Sequence, residues 1–141
     1  MSRLTLAQAN TIVSVALKKA REMKTKPLTV VVLDDAGHVK ALQREDGANM
    51  FRNDIAIGKA FASIGMGAAS RTLLQRAKDN PEFYGALAAV GQGKFVPQTG
   101  AVLIKDKDGT VLGAAGGSGG TGDEDEAVCI AGIEAAGLAW G

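Results

Sequence analysis

Cysteine is almost missing from this 141-residue chain. The single Cys129 leaves no internal disulfide, which excludes a small domain held together by disulfides. Histidine is equally scarce, and His38 alone cannot build a multi-histidine metal centre within one chain. Aromatics number six (four Phe, one Tyr, one Trp), so Ala, Val, Leu and Ile must fill the core. Neither charge sign dominates. With 16 Lys and Arg against 15 Asp and Glu the net charge is +1, which gives no electrostatic reason to expect nucleic acid or an anionic membrane as partner. No apolar window of about 18 residues occurs, so no membrane span is expected. The first 25 residues carry Arg3, Lys18, Lys19, Arg21 and Lys24 in a periodic pattern, unlike the apolar run of a signal peptide. The expectation is one cytoplasmic domain over residues 1–141.

What is present is ordinary globular composition, 46% apolar and 22% charged, which argues against disorder and against a coiled coil. The 19 glycines are the exception, and imply close backbone approach. A chain of this size buries about two-thirds of its surface, enough for one modest core that self-association would help.

Hydrophobic spacing orders the chain. Thr5 precedes an apolar stripe from Leu6 to Met23 at spacings of three and four, an N-capped amphipathic helix, with Pro27 as its limit. Leu28–Leu33 reads as a strand, Asp34-Asp35-Ala36-Gly37 as a turn, and His38–Arg44 as the returning strand. Helices follow over 53–69 and 70–77, with a third opened by Asn80-Pro81-Glu82. A second hairpin, 101–104 with 110–115, turns at Asp106-Lys107-Asp108-Gly109. A glycine-rich loop, 116–122, leads into a last helix over about 123–139. The order α-ββ-ααα-ββ-α predicts an α+β fold, a central antiparallel sheet of about five strands flanked by helices. Pattern alone does not pair the two hairpins.

Gly117-Ser118-Gly119-Gly120-Thr121-Gly122 has the spacing G-x-G-x-x-G. A dinucleotide site would need a parallel βαβ unit and an acidic residue about 20 positions on, but the preceding strand closes a hairpin and only 19 residues remain. Asp123, Glu124, Asp125 and Glu126 crowd the helix start and would repel phosphate. Helix capping explains some of these carboxylates but does not need four, which leaves a metal or general-base role open for one of them. His38, just after a turn, reads first as an exposed residue. It also has the chemistry of an axial ligand to haem or a corrinoid, or of an acid–base group. Cys129 sits among Val128, Ile130 and Ile133 and reads as a small buried apolar residue. Lys59 interrupts the apolar run Ala56–Ala62. It either snorkels to solvent or points into a cleft to bind a carboxylate or form a Schiff base. Arg44 and Asp46 form a surface salt bridge or anchor an anionic substrate.

Three segments in order resemble a known family. VVVLDDAGHVKALQREDGA is similar to the strand–turn–strand pattern V-D-x-x-G-H-x-x-x-x-x-R-x-D-G-A. AIGKAFAS is similar to A-x-x-K-A-x-x-A, and GTVLGAAGGSGGTGDEDEAVCIAGI resembles G-x-x-x-G-A-x-G-x-S-G-x…D-E-x-x-x-x-A-G. The family is the GlcG/HbpS-like, or haem-degrading-domain, family, related to the C-terminal domain of PduO-type corrinoid adenosyltransferases. The resemblance runs from Leu4 to about Leu138. It implies an α+β domain, homo-oligomers, and haem or corrinoid binding in some members. The matching polar positions are His38, Arg44, Asp46, Lys59, Ser118, Asp125 and Glu126. The usual G-G-x-P-I before the third strand reads Gln98-Thr99-Gly100-Ala101-Val102 here, a change at the edge of the expected pocket.

Two functions follow as expectations. One is a small-molecule-binding protein, for haem or a corrinoid among other ligands. His38 would be the metal ligand, and Arg44, Lys59, Gly117, Ser118 and Gly119 would contact the ligand. The other is a cofactor-free isomerase, hydratase or lyase acting on a small carboxylate or oxygenated metabolite, with Asp46, Lys59, Asp125 and Glu126 as catalytic groups. Both need the end of the second strand, the Lys59 helix and the 116–122 loop to converge on one pocket.

Overall fold

The computed structural model describes residues 3–141. Helix α1 (Leu6–Met23) is followed by strands β1 (Thr29–Asp34) and β2 (Val39–Arg44). Helices α2 (Phe51–Met66), α3 (Ser70–Asp79) and α4 (Pro81–Val90) come next. Strands β3 (Ala101–Lys105) and β4 (Val111–Ser118), helix α5 (Gly122–Ala135) and strand β5 (Ala139–Trp140) complete the chain. This is the expected α+β fold with five antiparallel strands, in the order β2-β1-β4-β3-β5. The two hairpins join through β1 and β4, where Thr29 lies opposite Ser118 and Asp34 opposite Gly113.

Leu28–Leu33 is a continuous apolar run because β1 is covered on both faces. Val30 and Val32 pack with Ile12, Val13, Val128 and Ile133 under α1 and α5. Val31 and Leu33 pack with Ala56 and Ala60 under α2. The layers are α1/α5, sheet, α2, and the small residues set their spacing. A Cβ on Gly116 would lie 2.7 Å from the Ala56 carbonyl oxygen, so glycine there lets α2 settle on β4. A Cβ on Gly132 would run into the Ile12 carbonyl where α5 crosses α1. The scarcity of aromatics and the abundance of glycine thus have one cause, layers packed backbone to backbone.

Local signals held in part. Thr5 accepts from the Gln8 N–H and Gln8 reciprocates, forming a capping box. Helix α1 stops at Met23, before Pro27, on Lys24 in the left-handed conformation. Residues 116–118 belong to β4 and not to a loop, because β1 supplies their partners. The last helix ends at Ala135 and not near 139. The N–H groups of Gly137 and Leu138 cap it, and the chain then returns to pair Trp140 with Ile104. No helix among the described residues is long and apolar enough to cross a membrane.

Candidate functional site

The end of β4 and the start of α5 meet the first half of α2 at a cleft of about 530 Å³. Its floor is an ion pair. Lys59 Nζ donates to Asp125 Oδ2 at 3.2 Å and to the Gly117 carbonyl at 3.0 Å. The side chains of Lys59 and Asp125 are only 7% and 1% exposed. Asp125 Oδ1 accepts from the Gly120 N–H at 3.0 Å. Burial pushes the Asp125 carboxyl above the usual carboxylate range, although the Lys59 ammonium and the Gly120 N–H pull against it. Helix phase explains which acid went inside. Asp125 is three, four and seven residues before Val128, Cys129 and Gly132, on the buried stripe of α5. Gly100, at φ 143°, lies beside the pair, and a Cβ there would come within 2.7 Å of Lys59 Nζ.

Above this floor stands Arg52. It is one helical face with Ile55 and Lys59 on α2, and its Nη1 donates to Ser118 Oγ at 3.2 Å. Arg52 escaped the sequence reading, although its spacing of seven from Lys59 was visible. The walls are Ile55, Leu74 and Val96. The Val96 N–H donates to the Gly58 carbonyl at 3.2 Å, which holds the 96–99 segment against α2. The α5 start is capped by Thr121, which accepts from Glu124 N–H while Glu124 accepts from Thr121 N–H. At the mouth, Arg71 of α3 pairs with Asp123 and with Glu126, the latter at 3.2 Å, tying α3 to α5.

The donors therefore outnumber the acceptors they serve. An ammonium has three N–H donors and Lys59 uses two; a guanidinium has five, and Arg52 uses one on Ser118. The remaining donors suit an oxygen-rich anion.

Lys59, Ser118 and Asp125 of the expected site thus converge at the cleft, with the Gly117 carbonyl in its floor. Gly119 lies next to it, in a smaller depression with Lys26 and Glu124. Glu126 is engaged by Arg71 outside the lining. The second strand's end does not join. Arg44 donates to the Ala48 carbonyl at 2.7 Å, and Arg44 and Asp46 line a separate depression with Arg21 and Glu45. The reason is strand order: Arg44 and Ser118 both lie opposite Thr29, but β2 is the edge strand and β1 stands between it and β4. His38 is farther still. It is exposed at the β1–β2 turn, the opposite end of β1 from Ser118, about 16 Å away at roughly 3.3 Å per residue. Its backbone is what is used: the N–H groups of His38 and Ala36 donate to Asp34 Oδ1, both at 3.0 Å. Burial slightly opposes it, but those donors prevail and lower the Asp34 carboxyl. Cys129 is fully buried and its thiol is pushed far up by desolvation, so it is inert. Among the described residues no three His, Cys, Asp or Glu side chains are placed to hold a metal ion.

Haem fits this cleft poorly. None of the residues lining it is a histidine, cysteine, methionine or tyrosine, so it offers no usual axial donor. A second groove of about 440 Å³ has different chemistry. Phe61, Leu87, Val90 and Phe95 make it apolar, the Met66 thioether lines it, and Lys94 sits 5.6 Å from the Phe61 ring centroid. A Cβ on Gly37, the neighbour of His38, would lie 3.1 Å from the same ring.

Fold and site together define an α/sheet/α domain with a polar cleft where a glycine-rich strand end meets a helix start. The chain belongs to the haem-degrading HbpS-like family, whose model matches residues 4–134. It is 28% identical over 125 residues to an uncharacterized 15.0 kDa protein of Citrobacter freundii from the dhaT–dhaS intergenic region, covering 89% of this chain and 86% of that protein. Among solved structures, a double mutant of Streptomyces reticuli HbpS superposes with a TM-score of 0.82 at 26% identity, over 95% of this chain and 87% of that one. Klebsiella pneumoniae ORFY gives 0.86 at 25%, over 97% and 93%. A PduOC:haem complex gives 0.86 at 24%, over 98% of both, a likeness of fold.

Proposed function

We propose that this protein is a small-molecule-binding member of the HbpS-like family and that its cleft holds a small organic anion. The observation that carries this reading is the set of unused N–H donors of Arg52 and Lys59 at one cleft, above a buried acid–base pair. Arg52 anchors the carboxylate, Ser118 adds a hydroxyl, and Ile55, Leu74 and Val96 give the ligand's carbon skeleton an apolar wall. Calorimetric titration with pyruvate, a minimal carboxylate probe, is expected to give saturable binding that Arg52→Gln weakens at least about tenfold, the range of one charge-assisted bond. Equal binding by both proteins contradicts the reading.

A second reading is favoured by the α2–α4 groove. Its apolar walls, Met66 and the Lys94 cation suit a ring with acidic side chains, and Gly37, the chain neighbour of His38, lies against the Phe61 ring. The family description supports haem as a ligand class. Haem would supply a redox-active iron, and a corrinoid would ask for the same kind of axial donor. Haemin is expected to give a Soret shift that Met66→Ala or His38→Ala changes. An unchanged spectrum in both variants removes this reading.

We place the protein in the cytoplasm as a homo-oligomer of two or more subunits. Exposed Phe51, Phe83, Val90 and Trp140 are the apolar surface that supports assembly.

A further inference from the structure

We propose that the Lys59–Asp125 pair is an acid–base couple that enolises a 2-oxo acid anchored by Arg52; this rests on the anion-binding reading above. Three observations support it. First, the pair is expensive as a structural device, because two charges taken out of water are no more stabilising than apolar residues of the same volume. Second, it lines the floor of an open cleft, where a ligand meets it. A purely structural bridge has no need of that position. Third, its surroundings are made for it. Gly100 keeps space beside the ammonium, and the Gly117 carbonyl and Gly120 N–H fix the two side chains from opposite ends.

The chemistry follows from the donor count. With the substrate carboxylate on Arg52, the third Lys59 N–H is free for the 2-oxo oxygen. Asp125 accepts a proton from C3 as the C3–H bond breaks. The electron pair moves into the C2–C3 bond, the carbonyl π pair moves to oxygen, and the enolate oxygen is held by Lys59, which stays an ammonium. Return of the proton to C3, or to another carbon of a conjugated acid, regenerates the carboxylate and gives exchange or isomerisation. No oxidant, metal or organic cofactor enters the balance. Burial of Asp125 makes its carboxylate a stronger base than an exposed one.

The test is proton NMR of pyruvate in D2O with the full-length protein, beside calorimetric binding of the same probe. Wild type is expected to exchange the methyl protons about a hundredfold or more faster than buffer, the usual gain from a positioned base. Asp125→Asn should bind pyruvate and fall to the buffer rate. Arg52→Gln should lose binding and exchange together. Should Asp125→Asn fail to fold, the double substitution Lys59→Met with Asp125→Asn leaves no unpaired charge and serves in its place. Binding without exchange in wild type overturns the inference and leaves the binding reading standing. Absence of binding overturns both. Exchange that persists in folded variants lacking the Asp125 carboxylate also overturns it.

Discussion

Two ion clusters lie on the same helix start, one at the floor of the cleft and one at its mouth. Lys59–Asp125 is buried and closes on backbone groups from β4 and the 119–122 turn. Arg71–Asp123–Glu126 joins α3 to α5 in solvent, with Arg71 54% exposed. Both pair a cation with carboxylates of α5, and the carboxylates differ by one or two positions along that helix. What separates them is helix phase, which turns Asp125 inward and Asp123 outward. A buried charge must keep its partner, whereas an exposed one has water as a substitute.

That difference can be broken at its strongest point. Asp125→Ala leaves the Lys59 ammonium buried and unpaired, and urea unfolding is expected to show a loss of about 3–5 kcal/mol. Pairing the loss, as in Lys59→Met with Asp125→Leu, should recover much of it. A double variant no more stable than Asp125→Ala would show that the pair is not the cause. Next in size is Gly100→Ala, which crowds Lys59 Nζ from a left-handed backbone position and should cost about 1–3 kcal/mol. A neutral result would mean that the site has slack.

The pH dependence sharpens the contrast. The Asp125 carboxyl is raised above its unfolded value of 3.8, so in the window above that value the folded chain holds a proton that the unfolded chain has released. Its contribution to stability is full below that pH and is lost as pH rises through the folded value. Wild type should therefore lose stability relative to Lys59→Met/Asp125→Asn as pH is raised from about 3.8. Parallel stability curves would contradict this. The smallest effect is expected at the mouth: Arg71→Ala should leave the urea midpoint nearly unchanged, and added salt should erase any difference from wild type, because exposed charges are screened.

Sequence reading reached the fold because the helices and hairpins carried their own signals: the N-cap at Thr5, the Asp-Gly turn, the Asp34 turn; β5 carries none and reads as the end of α5. It did not reach the pairing of β1 with β4, which depends on tertiary packing between hairpins. At the site, Lys59 was legible as a charge inside an apolar run. Asp125 could not be separated from its acidic neighbours by composition, although its phase with Val128, Cys129 and Gly132 distinguishes it. Arg52 belongs to no local motif, and only its phase with Ile55 and Lys59 on α2 marks it in the sequence. The expected convergence of Arg44 and Asp46 with Lys59 needs a strand order that pattern does not supply, and the β2-β1-β4 order separates them.

The central claim is that the donors above the buried pair receive the ligand. Amide chemical-shift mapping with pyruvate tests it most directly. The account predicts saturable shifts at Ser118, Gly120 and Gly122 in wild type and none there in Arg52→Gln; shifts confined to the Arg44 depression or to the α2–α4 groove would contradict it.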